Sequence, residues 1–148
     1  MAEGIVNILL VEDDEVDIMN VQRAFQKNKI TNPLYIARNG LEAIELLKGV
    51  SGIKISPLPK IILLDINMPK MNGIQATAAI KARFHDMIVI GLSVQAGGAN
   101  AEAMSRAGAA MLITKEAAVD ELHDMIQHLI AEAQRGGRVA FDVGKKES

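Results

Sequence analysis

Short apolar runs alternate with amphipathic stretches along the whole chain. The runs have the length and continuity of strands that are buried on both faces of a parallel sheet. They occupy residues 8–11, 34–37, 61–64, 87–92 and 111–113. Each run is followed by a segment with helical spacing, clearest in the last one, where Met125, Ile126 and Leu129 form an apolar stripe over residues 117–134. The second helix, residues 41–48, is expected to place Leu41, Ile44 and Leu47 on one side, and residues 49–59 are expected to form an exposed loop. Asn100 is the expected N-cap of the fourth helix.

This alternation predicts an α/β fold. Five strands with a crossover helix after each give a doubly wound, five-stranded parallel sheet with helices on both faces and right-handed connections. A chain of 148 residues suits one domain. We expect that domain to span residues 1–135. We expect residues 136–148 to form a short polar tail, either flexible or docked onto a neighbour, and too short for a DNA-binding or enzymatic output domain.

Composition excludes several classes of function. The chain has no cysteine, so disulfides and thiol chemistry are ruled out. A formal net charge of −2 gives no electrostatic basis for binding nucleic acid. The residues before the first strand lack a basic n-region and a cleavage site, so we expect no leader segment, and no apolar run approaches the roughly 18 residues of a membrane span. These features predict a cytoplasmic protein without direct membrane or nucleic-acid contacts.

Polar residues stand directly after four of the five predicted strands. Glu12 and Asp13 follow the first strand, Asp65 the third, Ser93 the fourth and Lys115 the fifth. If the first and third strands are neighbours, as in the flavodoxin-like order 2-1-3-4-5, their ends lie roughly 5 Å apart. Three carboxylates would then share one pocket at the carboxyl edge of the sheet, where open α/β sheets bind ligands.

Such a pocket has a definite chemistry. Clustered carboxylates repel one another unless a cation lies between them, and all-oxygen ligands favour Mg²⁺. A carboxylate beside a metal, an ammonium and a hydroxyl suits phosphoryl transfer through an acyl phosphate. Asp65 is the predicted nucleophile because its strand is the most buried. Asp13 would bind the metal directly, Glu12 through water, and Asn67 through its backbone carbonyl.

Each of these residues also has an ordinary structural explanation. The acidic run after the first strand can simply charge a helix start, Ser93 can be a small residue at a crowded strand end, and a lone lysine is usually solvated. The functional interpretation depends on all of them falling at the same edge of one sheet.

Taken together, the motifs resemble the receiver domain of two-component response regulators. The matching features are Leu10-Val11-Glu12-Asp13, the run from Leu63 to Pro69 with Asn72-Gly73, Ser93, and Thr114-Lys115. They match in order over residues 5–133. The first half resembles small single-domain regulators of the chemotaxis and phytochrome-associated type, whereas the chain from Ile90 onward resembles receivers whose fifth strand ends in Thr-Lys-Glu.

The resemblance implies a role for each residue. Asp65 would accept a phosphoryl group from a histidine kinase or phosphotransfer protein, with Mg²⁺ placed by Glu12, Asp13, Asp65 and the carbonyl of Asn67. Lys115 would contact that group. Ser93 would move toward it and remodel the face of helix four, strand five and helix five, to control a protein partner or a homodimer. Such a module catalyses only its own phosphorylation and dephosphorylation.

Two positions depart from the family pattern. Leu112 replaces an aromatic ring that often reports the switch, so the output step is expected to differ. Glu116 stands where a proline in a cis bond often follows the lysine, and a cis bond to Glu would cost about 3 kcal/mol. The role of Gln95, two residues after Ser93, is left open.

Two rival functions remain. A pseudo-receiver would use the same fold for protein contacts and never be phosphorylated; the departures at Leu112 and Glu116 favour it, and the intact acids, hydroxyl and lysine oppose it. An aspartyl-phosphate phosphatase of the haloacid dehalogenase type would need a second Asp two residues after the nucleophile, where this chain has Asn67. It would also need a cap insertion, which the sequence does not provide.

Overall fold

The computed structural model describes residues 6–50, 52–68, 71–94 and 98–134. Within these ranges five strands alternate with five helices. In chain order the elements are β1 Ile8–Val11, α1 Glu15–Lys27, β2 Leu34–Ala37, α2 Gly40–Lys48, β3 Ile61–Asp65, α3 Gly73–Arg83, β4 Ile88–Ser93, α4 Gly98–Ala107, β5 Met111–Thr114 and α5 Lys115–Gln134. The predicted tail, residues 136–148, lies outside the described residues, as do Pro69 and Gln95.

The five strands form one parallel sheet in the order β2-β1-β3-β4-β5. This confirms the predicted doubly wound fold and its strand order. β3 lies at the centre, with β1 on one side and β4 on the other. All five of its residues are buried, as expected for a strand covered on both faces.

Side chains of the sheet alternate between two separate hydrophobic layers. Ile61 and Leu63 point into the layer that includes the buried faces of α1 and α5, whereas Ile62 and Leu64 point into the layer of α2 and α3. Both layers are therefore built around β3. This packing fixes where each strand ends along the sheet, and so positions the residues that follow the strands.

Three helix predictions require correction. α4 begins at Gly98, so Asn100 lies inside the helix and is not its N-cap. α5 begins at Lys115, two residues before the predicted start, because the Thr114 hydroxyl accepts a hydrogen bond from the amide of Ala117 at 3.0 Å.

The buried face of α2 also differs from the prediction. Its buried residues are Gly40, Ala43, Leu46 and Leu47, whereas the predicted Leu41 is 47% exposed. Small residues face inward because the helix start lies close to the chain leading into α3: a Cβ added at Gly40 would be 2.9 Å from the carbonyl oxygen of Met71. The described residues of the predicted loop over residues 49–59 are mostly exposed, but Ile55 and Pro59 are buried.

None of the helices in the described ranges is long and apolar enough to cross a membrane.

Candidate functional site

Two acidic residues leave the sheet side by side at its carboxyl edge. Val11 of β1 is in register with Leu64 of β3, so the residues that follow, Glu12 and Asp65, are neighbours on adjacent strands. Both are buried, at 1% and 2% exposure. Buried carboxylates are costly unless they are paired or hydrogen-bonded, so this arrangement requires compensating contacts.

The turn between β1 and α1 supplies one of these contacts and brings in a third acid. The amide of Asp14 donates a hydrogen bond to Oε2 of Glu12 at 3.2 Å, and the Asp14 side chain caps α1 by accepting from the amide of Asp17. Asp13, between Glu12 and Asp14 in the chain, is exposed. One carboxylate oxygen from each of Glu12, Asp13 and Asp65 lies within 4.8 Å of the others.

The end of β3 is held by close backbone packing against the start of α3. The amide of Asn67 donates to Oδ1 of Asp65 at 3.1 Å, and the amide of Gly73 donates to the carbonyl of Ile66 at 3.0 Å. A Cβ at Gly73 would lie 2.6 Å from the carbonyl oxygen of Asp65. Only glycine fits where the two backbones approach so closely, and this close packing fixes the backbone that carries Asp65.

Lys115 provides the positive charge at this edge. Its Nζ lies 2.6 Å from Asp17 Oδ2, 3.3 Å from Glu12 Oε1 and 3.5 Å from Asp65 Oδ2. Burial acts to lower the pKa of Lys115, but the hydrogen bond to Asp17 and the charges of Asp65 and Glu12 outweigh it and raise the pKa above its usual value. The ammonium is therefore charged at neutral pH.

The electrostatics of Glu12 follow from the same crowding. Burial, and secondly the nearby charge of Asp65, raise the pKa of Glu12 to about 7, although the hydrogen bond from Asp14 and the charge of Lys115 act in the opposite direction. One ammonium therefore does not fully compensate the clustered acids. An additional cation would relieve this repulsion.

The donor set fits a small divalent cation. Ligand oxygens of a six-coordinate Mg²⁺ are at most about 4.2 Å apart, because each lies about 2.1 Å from the metal. The three carboxylate oxygens lie within 4.8 Å of one another, so the three acids are close enough to share one divalent cation, either directly or through a bridging water. They line a cleft of about 590 Å³ together with Asp14, Glu15, Asp17, Asn67, Val94 and Lys115.

The other predicted site residues lie at the same edge. Ser93 is buried at the end of β4, in register with Thr114, and Asn67 is exposed beside the cleft. Leu112, at the position of the expected ring, packs in the same hydrophobic layer as Met104 of α4. Their functional roles remain predictions.

The bond from Lys115 to Glu116 is not among the cis bonds of the described ranges, where the cis bond found is Ser56–Pro57. In place of the expected proline, the cap by Thr114 lets α5 begin directly at Lys115. The sequence alone did not reveal this cap.

Sequence reasoning also missed Asp17. Its closest contact, the 2.6 Å ion pair with Lys115, joins residues 98 positions apart in the chain. The available signal was its place three residues after the N-cap Asp14, in the first turn of α1. On the rim of the same turn, Glu15 pairs with Arg38 at 2.6 Å, and both side chains are largely exposed.

Comparison with known proteins places these features in one family. The model of the response regulator receiver domain matches residues 8–127. Response regulator Rcp1 of Synechocystis sp. is 42% identical over 74 residues, which is 50% of this chain and 50% of Rcp1. The chain spans about half the length of the curated relatives it matches.

Three solved structures share the fold. A two-component response regulator from Legionella pneumophila has a TM-score of 0.75 at 34% identity, covering 85% of this chain and 98% of that one. The Mn²⁺-bound form of Rcp1 gives 0.70 at 28% identity, covering 92% and 99%. The phosphorylated cyanobacterial phytochrome response regulator RcpA gives 0.68 at 27%, covering 86% and 92%.

Proposed function

The chain belongs to the response regulator receiver domain family of two-component systems, and on that premise we propose that it is a phosphoacceptor whose reactive group is Asp65. The donor would be a phosphohistidine on a histidine kinase or a phosphotransfer protein. The proposed product is an aspartyl phosphate that changes how the domain contacts a protein partner, in the cytoplasm.

One observation carries this proposal. The carboxylate of Asp65 lies at the bottom of an acidic cleft, within 3.5 Å of an ammonium and within 4.8 Å of two further carboxylates. A carboxylate held only for stability has no need of two like charges beside it, since such neighbours destabilise it. The same arrangement serves a reaction in which additional positive charge and a phosphoryl group enter together.

The reaction follows from the position of Asp65. One of its oxygens attacks phosphorus and a new P–O bond forms, while the P–N bond of the phosphohistidine breaks. The ring, protonated at its other nitrogen, takes the bonding electron pair and leaves as neutral imidazole. The amide of Asn67, which donates to Oδ1 of Asp65, fixes the orientation of the carboxylate. Lys115 neutralises charge on the transferred group.

The residues that would hold Mg²⁺ are Asp13 and Asp65 directly, Glu12 through water, and the backbone carbonyl of Asn67. The ion, when bound, neutralises charge on the carboxylates and on phosphoryl oxygens. The geometry of the three acids supports this assignment. The Mn²⁺ reported for Rcp1 is consistent with a divalent ion in a related protein.

The proposed output begins at Ser93. Its hydroxyl would turn toward the new phosphoryl group and shift the packing of α4, β5 and α5, a change between two conformations driven by added charge. Leu112 supports a change of side-chain packing against α4, rather than the rotation of an exposed ring, because it shares a hydrophobic layer with Met104.

Phosphorylation with a small donor tests the proposal. Wild type and Asp65→Asn are incubated with phosphoramidate, which carries a P–N bond, with and without Mg²⁺, and the mass increase is measured. We expect one acid-stable, base-labile phosphoryl group on the wild type only with Mg²⁺, and labelling at least about 100-fold slower in the variant, which lacks the attacking oxygen.

Circular dichroism supplies the control, since the variant must retain the wild-type fold. A wild type that is never labelled would instead support a pseudo-receiver. Labelling of Asp65→Asn at the wild-type rate would refute the assignment of the acceptor, and steady turnover of phosphate esters would indicate a phosphatase.

A further inference from the structure

The closest partner of the site lysine is not one of the acids of the predicted metal site. Lys115 Nζ is 2.6 Å from Asp17, compared with 3.3 Å from Glu12 and 3.5 Å from Asp65. The Asp17 contact is the one that satisfies hydrogen-bond geometry as well as charge attraction. In this conformation the ammonium is directed mainly toward the wall of the cleft formed by α1.

Asp17 is held in place by its own helix. It is the third residue of α1, and its amide donates to the N-cap Asp14 at 3.0 Å. The helix dipole stabilises an acid in this first turn, so the carboxylate of Asp17 is favoured in its observed position. The backbone of Lys115 is also held in place, because it is the first residue of α5, which Thr114 caps. The ion pair thus joins the starts of two helices.

The pair is also partly shielded from water. The side chains of Asp17 and Lys115 are 29% and 24% exposed, whereas Glu15 and Arg38, the ion pair on the rim of the same cleft, are 65% and 52% exposed. Charged hydrogen bonds gain strength where solvent screening is reduced. Asp17 is therefore a stronger competitor for the lysine than any acid on the rim.

We infer that Asp17 is a positioning residue that competes with the phosphoryl group for Lys115 and so limits phosphoryl binding at Asp65. This inference rests on the proposed function. A phosphoryl oxygen bound at Asp65 would accept a hydrogen bond from the ammonium of Lys115, which already donates to Asp17. The carboxylate of Asp17 also adds a negative charge that repels the incoming phosphoryl group. Loss of that carboxylate removes both effects.

The test compares two variants that remove the same charge from the same turn of α1. Asp17→Asn loses the contact with Lys115, whereas Glu15→Gln loses a carboxylate that also lines the cleft but pairs with Arg38. The probe is beryllofluoride, a tetrahedral mimic of a phosphoryl group, titrated with saturating Mg²⁺ and followed by ¹⁹F NMR. Labelling by phosphoramidate is measured in parallel.

We expect Asp17→Asn to bind beryllofluoride about three- to tenfold more tightly than wild type. Glu15→Gln should change the affinity by less than about twofold, because the charge of Glu15 is screened by solvent and does not contact Lys115. In a Lys115→Gln background Asp17→Asn should change the affinity by less than about twofold, because the ammonium that Asp17 competes for is gone and only the repulsion by its screened charge is removed. The NMR signal of the Lys115 ammonium should shift in Asp17→Asn and not in Glu15→Gln.

The opposite results overturn the inference. Weaker or unchanged binding in Asp17→Asn means that Asp17 does not compete for the lysine, and an equal gain in Glu15→Gln means that only net charge matters. If wild type is labelled normally, either result leaves the proposed function intact. A wild type that takes neither probe removes both proposals together.

Discussion

The two halves of the site are built in different ways. The acidic half lies on β1 and β3, which are adjacent and fully buried, and its two inner carboxylates are at most 2% exposed. The cationic half lies at the junction of β5, an edge strand that is mostly half-buried, and the first turn of α5. Lys115 itself is 24% exposed.

The two halves of the site therefore differ in how firmly their side chains are held. Register and core packing leave the inner acids almost no freedom, so the strand order determines where they lie. The lysine has a long flexible stem, and its location depends on which acid it pairs with. The acidic half is therefore expected to tolerate few changes in the backbone, whereas the cationic half is expected to respond to changes in individual partners.

The largest effect is expected from removing the cation. Lys115→Gln should slow labelling by phosphoramidate by about 100-fold, equivalent to about 2.7 kcal/mol, because charge on the transferred group is no longer neutralised. Mg²⁺ affinity, measured by calorimetry, should be unchanged or higher, since a competing positive charge is lost. Lys115→Arg should restore part of the rate. Loss of Mg²⁺ binding in Lys115→Gln would show that the two halves are not independent.

A backbone change should break the acidic half. Gly73→Ala places a methyl group 2.6 Å from the carbonyl of Asp65 and 2.7 Å from Leu64, so we expect unfolding free energy to fall by at least about 2 kcal/mol in urea titrations. Ala78→Gly, at an exposed position of the same helix, should cost about 1 kcal/mol through helix propensity alone. A stable Gly73→Ala variant would contradict the close packing at the end of β3.

The pH dependence of stability should report the crowding of the acids. Because the pKa of Glu12 rises from 4.5 to about 7 on folding, the folded state binds more protons between these values. The Glu12 proton makes its whole contribution to the free energy of unfolding below pH 4.5, and this contribution is lost as the pH rises through 7. The loss should be on the order of 2 kcal/mol in chemical denaturation without metal.

Two controls sharpen this measurement. Glu12→Gln should flatten the profile over the same pH range. With Mg²⁺ present, stabilisation by the metal should increase as the pH rises, since the carboxylate must lose its proton to interact with it. A metal-free profile that rises between pH 4.5 and 7, after correction for other groups with the Glu12→Gln variant, would be inconsistent with the raised pKa.

The smallest effect is expected at the helix cap of the cationic half. Thr114→Val removes the hydroxyl that accepts from the amide of Ala117 and should reduce stability by about 1 kcal/mol. Thr114→Ser keeps the hydroxyl and should stay close to wild type. Thermal unfolding of the three proteins measures the difference, and equal melting temperatures would mean that the cap contributes nothing.

Sequence patterns were sufficient for the sheet and for the acidic half of the site. Strands buried on both faces appear as continuous apolar runs, so β1, β3 and β4 could be located from hydrophobicity alone. The common edge then followed from parallel topology, which brings Glu12 and Asp65 together.

The contacts of Lys115 were not predictable in the same way. A lysine side chain can reach several acids, and the choice of Asp17 depends on where two helices begin, which hydrophobic periodicity leaves uncertain by a few residues. α5 begins earlier than its apolar stripe because a single hydroxyl, that of Thr114, caps it. The inward face of α2 was missed because Gly40 faces inward where a Cβ would be 2.9 Å from the carbonyl oxygen of Met71, a constraint that hydrophobicity does not show.

The separation of 98 residues between Asp17 and Lys115 has a consequence for biosynthesis. A nascent chain emerges with all of its site acids long before the lysine leaves the ribosome, so an unfinished molecule carries a rim of uncompensated negative charge. Synthesis of β5 and the start of α5 supplies the counter-charge of Lys115, so this edge of the sheet acquires its positive group after all of its acids.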